Sequence, residues 1–336
     1  MKATIEEIAR IAGVSKTTVS RVLNNKTEGV GAKTRQRIEL LLEEMYYCGH
    51  SASHPLQAPR SKTVALILPD ITNPFFAELA KAAENYLSNS GYMLFLGNTD
   101  FSSEKEAQYL KSFISKRVDG IMLISTAQVC TTSHRMPAKY GTPCVLMDRK
   151  LSSMPYTAGV FTDNEYAVFR SCELLIRNGS TSIAFISGPA NVSTSLERVE
   201  GYKASIQHYG LEFDERLIKF GNYTLDGGYN AIMELASEGI RCTGIIAAND
   251  TMAIGAMKAL SELSYRIPQD VEVIGFDNIG YSRMCTPPLT TIQQPIIEMG
   301  RTASQLLLDA IAGKKIKDRR IYLQPKLLIR ESTKKV

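Results

Sequence analysis

A chain of 336 residues with 44% hydrophobic and 22% charged residues is an ordinary globular protein too long for one small core, so two or three domains are expected. No apolar run is long enough to cross a membrane and no signal peptide precedes Thr4, so we expect a cytoplasmic protein. The formal net charge is +5, and residues 1–37 alone contain eight basic and three acidic side chains (8 − 3 = +5), which concentrates positive charge where nucleic acid would need it.

Residues 4–23 predict two short helices joined by a tight turn. The first has one apolar stripe at helical spacing, formed by Ile5, Ile8, Ala9 and Ala12. Gly13 follows, where a left-handed residue ends a helix, and Ser15 is suited to cap the second helix, which buries Val19 and Val22. The outward positions of that helix are Lys16, Thr17, Ser20 and Arg21. This spacing is typical of a helix-turn-helix, whose second helix lies in the DNA major groove; the alternative is a helical hairpin with a basic outer face.

A third helix is predicted from about Ala32 to Met45. Its Lys33-Thr34-Arg35 start and the run 12–24 resemble the headpiece of the LacI/GalR family of bacterial repressors. The resemblance implies that Lys16 and Thr17 choose operator bases, since lysine can donate to guanine and threonine can contact the thymine methyl. It implies that Ser20, Asn24 and Thr34 hold phosphates. The whole predicted DNA-binding set is Thr4, Ser15, Lys16, Thr17, Ser20, Arg21, Asn24, Thr34 and Leu56.

Residues 47–62 form a linker after a headpiece of residues 1–46, because glycine, serine and proline are enriched there. The family usually places a short hinge helix in this linker, and its leucine wedges between base steps in the minor groove. Leu56 stands in the place of that leucine, so we expect it to be the wedge. Gly49-His50 and Ser53-His54-Pro55 depart from the family pattern, and proline tolerates only the first turn of a helix. A plain flexible tether is the alternative.

From Val64 onward, short apolar strands alternate with amphipathic helices, which predicts an α/β fold with a doubly wound parallel sheet. The predicted strands are Val64–Leu68, Met93–Leu96, Gly120–Ile124, Cys144–Met147, Gly159–Thr162, Ile183–Ser187, Gly244–Ala247, Val271–Gly275, Thr290–Ile292 and Tyr322–Ile329. The sequence contains no glycine-rich nucleotide loop, no Cys-x-x-Cys pair and no triad-like set at a strand end. We therefore expect no cofactor, no metal and no enzymatic activity.

Polar and aromatic side chains stand where the predicted strands end, which is where ligands of open α/β sheets bind. Aromatic faces suit the C–H bonds of a sugar ring, and carboxylate, amide and guanidinium groups suit its hydroxyls. Residues 63–330 resemble the type I periplasmic sugar-binding fold, which is the family's usual regulatory module. The resemblance implies an effector site of Asn73, Phe75, Phe76, Ser125, Asp148, Arg149, Thr194, Arg198, Tyr223, Asn249, Asp277 and Gln294. The alternatives are a structural Asp148–Arg149 pair, core phenylalanines, and Asp250 as the cap of a helix.

The resemblance implies that residues 63–336 form an effector-binding and dimerisation domain with two subdomains. The first is expected at about 63–161 plus 291–323, and the second at about 162–290 plus 324–336. Chain crossings are expected near Phe161–Asp163, Leu289–Thr291 and Leu323–Lys326. Closure around a ligand would hinge there and change the spacing of two headpieces.

The sequence therefore predicts a homodimeric transcription regulator, most simply a repressor, that binds a pseudo-palindromic operator on double-stranded DNA and responds to a small sugar-like effector. The rivals are an exported sugar-transport protein, an enzyme on a doubly wound sheet, and a regulator controlled by a partner protein. The identity of the effector and the direction of its effect stay open.

Overall fold

The computed structural model describes residues 5–23, 29–44, 60–152, 154, 158–316 and 319–334, with the side chains of residues 23, 39–40 and 42–44 left aside. The chain divides into two compact units, residues 1–60 and 61–336. None of the described helices is long and apolar enough to span a membrane. Three predicted DNA-binding residues, Thr4, Asn24 and Leu56, lie outside the described residues.

The described residues of the first unit form three helices, α1 (Ile5–Ala12), α2 (Lys16–Leu23) and α3 (Ala32–Glu44). Its small core consists of Ile8, Ala9, Ala12, Val19, Val22 and Ile38. Gly13 has a φ of 65°, the left-handed conformation expected of it, and the Ser15 hydroxyl accepts a hydrogen bond from the Thr18 amide at 3.1 Å. The predicted stripe, turn and cap are therefore confirmed, and the outer face of α2 is left for contacts with another molecule.

The second unit contains two six-stranded sheets, which confirms the predicted α/β class. The first sheet is parallel throughout, in the order β11-β5-β4-β3-β1-β2. Its strands are β1 (Thr63–Leu68), β2 (Met93–Asn98), β3 (Gly120–Leu123), β4 (Cys144–Met147), β5 (Ala158–Thr162) and β11 (Arg320–Leu323). Its helices are α4 (Pro74–Asn89), α5 (Ser103–Ser115), α6 (Thr132–Tyr140) and α11 (Ile296–Ile311). Successive residues of β1 are buried in two different clusters, so both faces of this sheet are covered, as near-continuous apolar strands require.

The second sheet has the order β12-β10-β9-β8-β6-β7, with only the β10–β12 pair antiparallel. Its strands are β6 (Ile183–Ser187), β7 (Ile218–Phe220), β8 (Gly244–Ala247), β9 (Glu272–Asp277), β10 (Thr290–Gln293) and β12 (Lys326–Leu328). Its helices are α7 (Asn164–Arg177), α8 (Ser193–His208), α9 (Leu225–Ser237) and α10 (Asp250–Glu262). We call the first sheet with its helices the first subdomain, and the second sheet with its helices the second subdomain.

Two expectations need correction, and one strand was not predicted. The segment Tyr322–Ile329 is not one strand, because Gln324-Pro325 separates β11 in one sheet from β12 in the other, and proline has no N–H for a ladder. The chain does not return to the first subdomain at Leu289–Thr291, because β10 pairs with β9 and the return follows Gln293. The short strand β7 was not predicted. Lys219 interrupts its apolar pattern, and the ammonium of Lys219 bonds Glu234 at 2.8 Å.

Candidate functional site

A cavity that is partly open to solvent lies between the two subdomains at the carboxyl ends of their strands, and the space within it, including the open part, is about 270 Å³. The lining residues are Asn73, Phe75, Phe76, Asp148, Arg149, Thr194, Arg198, Tyr223, Asn249, Asp277 and Gln294. The structure thus brings together every predicted effector residue except Ser125.

Asp148 and Arg149 supply the unsatisfied polar groups of this cavity. Both are buried, and Asp148 Oδ2 lies 3.8 Å from Arg149 Nε, which is too far for a hydrogen bond. Asp148 Oδ1 and Arg149 Nε have no hydrogen-bond partner in the described part of the chain. Burial raises the pKa of Asp148, against the charges of Arg149 and Arg198, and burial lowers the pKa of Arg149. A buried polar atom without a partner costs about 1–3 kcal/mol, so a ligand that bonds both atoms would be favoured.

The guanidinium of Arg149 is held between aromatic rings. Its central carbon lies 5.5 Å from the ring centre of Phe76 and 5.6 Å from that of Phe101. One terminal nitrogen donates to the Ser125 carbonyl at 3.2 Å. These contacts fix the plane of the guanidinium while its Nε remains without a partner, so Arg149 is oriented before a ligand arrives.

Arg198 occupies the opposite wall of the cavity, on α8. Its Nε donates to Asn164 Oδ1 at 2.9 Å, a terminal nitrogen donates to the Ala248 carbonyl, and its guanidinium carbon lies 3.7 Å from the ring centre of Phe276. A guanidinium has five N–H donors, and these two bonds leave further donors for a ligand. The sequence did not reveal Asn164, Phe101 or Phe276, because they act on the arginines through contacts between distant segments.

Gln294 connects the two subdomains beneath the cavity. Its amide nitrogen donates to Asp277 Oδ1 at 2.8 Å, and its amide oxygen accepts a bond from the Thr162 hydroxyl at 2.7 Å. Burial raises the pKa of Asp277 well above its usual range, with the Arg198 charge opposing. Since Thr162 ends β5 and Asp277 ends β9, this chain of hydrogen bonds spans the hinge.

Asn73 and Asn249 use part of their bonding capacity on local structure. The Asn73 side chain caps α4 by accepting from the Phe75 amide at 3.0 Å. The Asn249 side chain caps α10 through the Met252 amide at 2.9 Å, and it donates to the Tyr223 carbonyl at 3.1 Å. Asn249, not Asp250, is therefore the helix cap.

Tyr223 and Thr194 are linked on the wall formed by the second subdomain. The Tyr223 hydroxyl lies 2.8 Å from Ser195 Oγ and 3.3 Å from Thr194 Oγ1. Tyr223 as a whole is 9% exposed. Its ring packs over Gly188, where a β-carbon would lie 2.1 Å from the ring, so glycine is required at that position.

Ser125 does not line the cavity, contrary to expectation. Its hydroxyl donates to Glu106 at 3.0 Å and also lies 3.2 Å from His134 Nε2, in a buried network behind the strand ends. The amide of Thr131 donates to His134 Nδ1 at 2.9 Å, so the ring proton sits on Nε2 and is directed at Glu106. This histidine therefore has no lone pair for deprotonating Ser125. The network positions the Ser125 carbonyl that Arg149 bonds.

The outer face of α2 presents Lys16, Thr17 and Arg21 as exposed side chains, whereas Ser20 and Thr34 are half-buried. Lys16 bonds Glu6 of α1 in an exposed ion pair. Arg37 of α3 donates to the Ile11 carbonyl at 3.2 Å, which satisfies a group at the end of α1.

Comparisons with known proteins cover both units. Residues 4–49 match the family of bacterial regulatory proteins described as the lacI family, and residues 61–331 match the periplasmic binding proteins and sugar binding domain of the LacI family. The HTH-type transcriptional repressor PurR of Vibrio vulnificus is 34% identical over 335 residues, 99% of each chain. The transcriptional regulator CelR in complex with cellobiose aligns with a TM-score of 0.77 and 29% identity over 98% of this chain and 100% of that one. A LacI family regulator from Enterococcus faecium with bound ribose aligns with a TM-score of 0.73 and 30% identity over 81% of this chain and 98% of that one.

Proposed function

Because the chain belongs to the LacI family of bacterial regulatory proteins, and is therefore a helix-turn-helix transcription regulator, we propose that a small neutral sugar or sugar derivative binds in the cavity and modulates its affinity for operator DNA. We further propose that the protein acts as a repressor in the cytoplasm, where operator DNA is found. The observation that carries the effector proposal is the pair of unsatisfied buried atoms, Asp148 Oδ1 and Arg149 Nε.

A sugar hydroxyl is the ligand group best suited to form hydrogen bonds with both Asp148 Oδ1 and Arg149 Nε. It can donate to the carboxylate oxygen and accept from the guanidinium nitrogen, and the rings of Phe75, Phe76 and Tyr223 offer apolar surface to the C–H bonds. The cavity also has two acidic and two basic side chains, whose formal charges sum to zero (2 − 2 = 0). A sugar hydroxyl can pair with the Asp148 carboxyl group in either of its protonation states, whereas the ionised form would repel a phosphate or carboxylate, so a neutral ligand is favoured.

Binding would influence DNA through closure of the two subdomains. Cavity residues come from both subdomains, so a ligand that bonds both favours the closed arrangement over an open one. The first subdomain begins at residue 61, directly after the linker, so its displacement would be transmitted to the headpiece. The coupling is reciprocal: operator binding must alter effector affinity by the same factor.

We also propose a homodimer. Apolar side chains are exposed together on one part of the second unit, where Tyr281 is 64% and Met284 82% exposed beside an apolar groove lined by Pro74, Ile254 and Ile279. An exposed apolar surface of this kind is usually a contact with another protein. A second copy of the chain fits best, since two-fold symmetry would pair two headpieces on a pseudo-palindromic operator. Light scattering should give twice the mass of the chain, and a Met284→Asp variant should shift toward the monomer.

The experiment that tests the effector is a thermal-shift screen of the purified protein against neutral sugars, sugar acids and sugar phosphates. A ligand at about 100 times its dissociation constant should add roughly 2.7 kcal/mol of stability. Hits among neutral sugars that disappear in an Arg149→Ala variant would support the cavity as the site. A blank panel would contradict the sugar proposal while leaving DNA binding to be measured separately. If only sugar acids or sugar phosphates stabilise the protein, the proposal that the effector is a neutral sugar is wrong.

A further inference from the structure

The amino-terminal edge of the first sheet carries a cluster of positive charge far from the cavity. The loops that lead into β1, β3 and β11 meet at this edge, because parallel strands begin on the same side of a sheet. Five exposed cations stand there, and we call them the basic edge: Lys62, Lys116, Arg117, Lys315 and Arg320. None of the five forms an ion pair with another described residue, although Lys62 lies 4.6 Å from the ring centre of Tyr92.

The nearby acids do not neutralise the basic edge. Asp119 accepts three hydrogen bonds, from the Ser61 amide and hydroxyl and from the Lys62 amide, which fix the start of β1. Asp309 bonds Lys314 at 2.8 Å. Asp309 is thus paired with a cation outside the basic edge, whereas Asp119 keeps its negative charge, so the five cations and Asp119 together carry a net charge of +4 (5 − 1 = +4).

The corresponding loops of the second sheet are different. Arg266 and Asp270 pair at 2.7 Å, and Lys219 pairs with Glu238 at 2.8 Å. The loop at residues 178–182, which leads into β6, has no charged side chain, and the loop that leads into β8 has one exposed arginine, Arg241. Positive charge is therefore concentrated on one of two otherwise similar edges, and general solubility would not require that asymmetry.

The basic edge is also the edge where the linker enters. Residues 60–62 lead into β1, and residue 44 ends α3, so 16 peptide steps join the end of α3 to residue 60 at this edge. An extended chain of that length reaches about 55 Å at most. DNA carries about one negative charge per 1.7 Å of its length, so a duplex held by the headpiece offers many phosphates to a basic surface that is tethered to the same chain.

We propose that the basic edge binds phosphates of the DNA that flanks the sequence read by the headpiece. The inference rests on the proposed operator binding and adds a second, sequence-independent contact surface to it. Phosphate contacts of this kind release counterions, so each one makes the affinity more sensitive to salt. A regulator with such a surface should prefer its operator inside long DNA over the same operator in a short duplex.

The test compares the full-length protein with a triple variant, Lys116→Gln, Lys315→Gln and Arg320→Gln. An operator selected from random DNA with the wild-type protein is placed in duplexes of about 20 and about 50 base pairs, and the affinity for each is measured over a range of salt concentrations. If the three cations contact phosphates, the salt slope on the long duplex falls in magnitude by about 1–3. The slope on the short duplex should change less.

A matched control removes the same charge elsewhere, with Arg170→Gln, Lys203→Gln and Lys258→Gln on exposed helix positions of the second subdomain. This control should leave both slopes unchanged, and both variants should keep the wild-type melting temperature. Equal slopes for the wild-type protein and the basic-edge variant on the long duplex would overturn the inference and direct attention to an acidic protein partner. A wild-type protein that selects no operator would overturn the proposed DNA binding itself, and this inference with it.

Discussion

The ammonium of Lys150 lies 2.9 Å from the carboxylate of Glu197, and the two residues belong to opposite subdomains. Lys150 follows β4 in the first, and Glu197 lies on α8 in the second. Asn164 donates to the same carboxylate at 2.9 Å, and the Lys150 ammonium lies 4.9 Å from the ring centre of Tyr322. The ion pair spans the cleft just outside the cavity, so it exists only while the cleft is closed.

We predict that Lys150→Met weakens effector binding by about two- to five-fold. The substitution keeps the aliphatic chain but removes the ion pair, which is partly exposed and therefore worth about 0.5–1 kcal/mol. Because that stabilisation belongs to the closed form alone, its loss appears as a lower effector affinity. Calorimetry with the identified effector measures the change. The control is Lys105→Met, which breaks an exposed ion pair inside the first subdomain and should leave the affinity unchanged.

The second prediction concerns Asp148→Asn, which should weaken effector binding by about 1.5–3 kcal/mol, as expected for the loss of a charge-assisted hydrogen bond. The same variant should be more stable without effector at pH 7. Burial raises the pKa of Asp148 above its usual value, so an ionised carboxylate costs more free energy in the folded than in the unfolded protein, and asparagine removes that cost. Denaturation without ligand and calorimetry with ligand should therefore change in opposite directions. If the variant loses both folding stability without effector and affinity for the effector, Asp148 is a structural partner of Arg149 rather than a ligand group.

Much of the cavity could be predicted from sequence, because parallel strands end at one edge and a polar residue directly after a strand lies there. Asp148 and Asn249 lie within two residues of a strand end and were identified in this way, and Asn73 follows β1 after a loop of four residues. Ser125 also follows a strand, but the buried acid Glu106 takes its hydroxyl, and no local pattern reveals that bond.

The unpredicted parts share a physical cause: each depends on packing between segments distant in the chain. Phe276 alternates inward on β9 like any core residue, and only the fold brings it under Arg198. The division between β11 and β12 likewise follows from which sheet has an open position, which the apolar run Tyr322–Ile329 does not encode.

The third prediction is a pH dependence of folding stability that arises from Asp250. This residue is fully buried, bonds the Ile279 amide at 2.8 Å and the Thr291 hydroxyl, and burial raises its pKa to about 7. The folded state therefore binds more protons than the unfolded state between pH about 4 and about 7, so the contribution of Asp250 falls as pH rises through that range.

The measurement for Asp250 is urea denaturation at several pH values, for the wild-type protein and for Asp250→Asn. Asparagine retains one acceptor oxygen and does not titrate, so the variant should lose less stability between pH 5 and pH 8 than the wild-type protein does. Asp277 contributes in the same direction in both proteins, and the difference between them isolates Asp250. Parallel pH profiles for the two proteins would contradict the assignment.

The last prediction concerns base reading by Lys16. Its side chain is 64% exposed and bonds Glu6, so it must exchange that partner for a base when the headpiece enters the major groove. If Lys16 donates to guanine, Lys16→Ala should cost roughly 1–3 kcal/mol on the specific operator and far less on random DNA. Glu6→Gln should have the opposite effect and tighten binding, because it releases Lys16 and removes a negative charge near the phosphates. Competitive binding assays on both DNAs separate the possibilities: an equal loss on operator and random DNA would make Lys16 a phosphate contact, and selection of new operators by the Lys16→Ala variant would show which base position it had read.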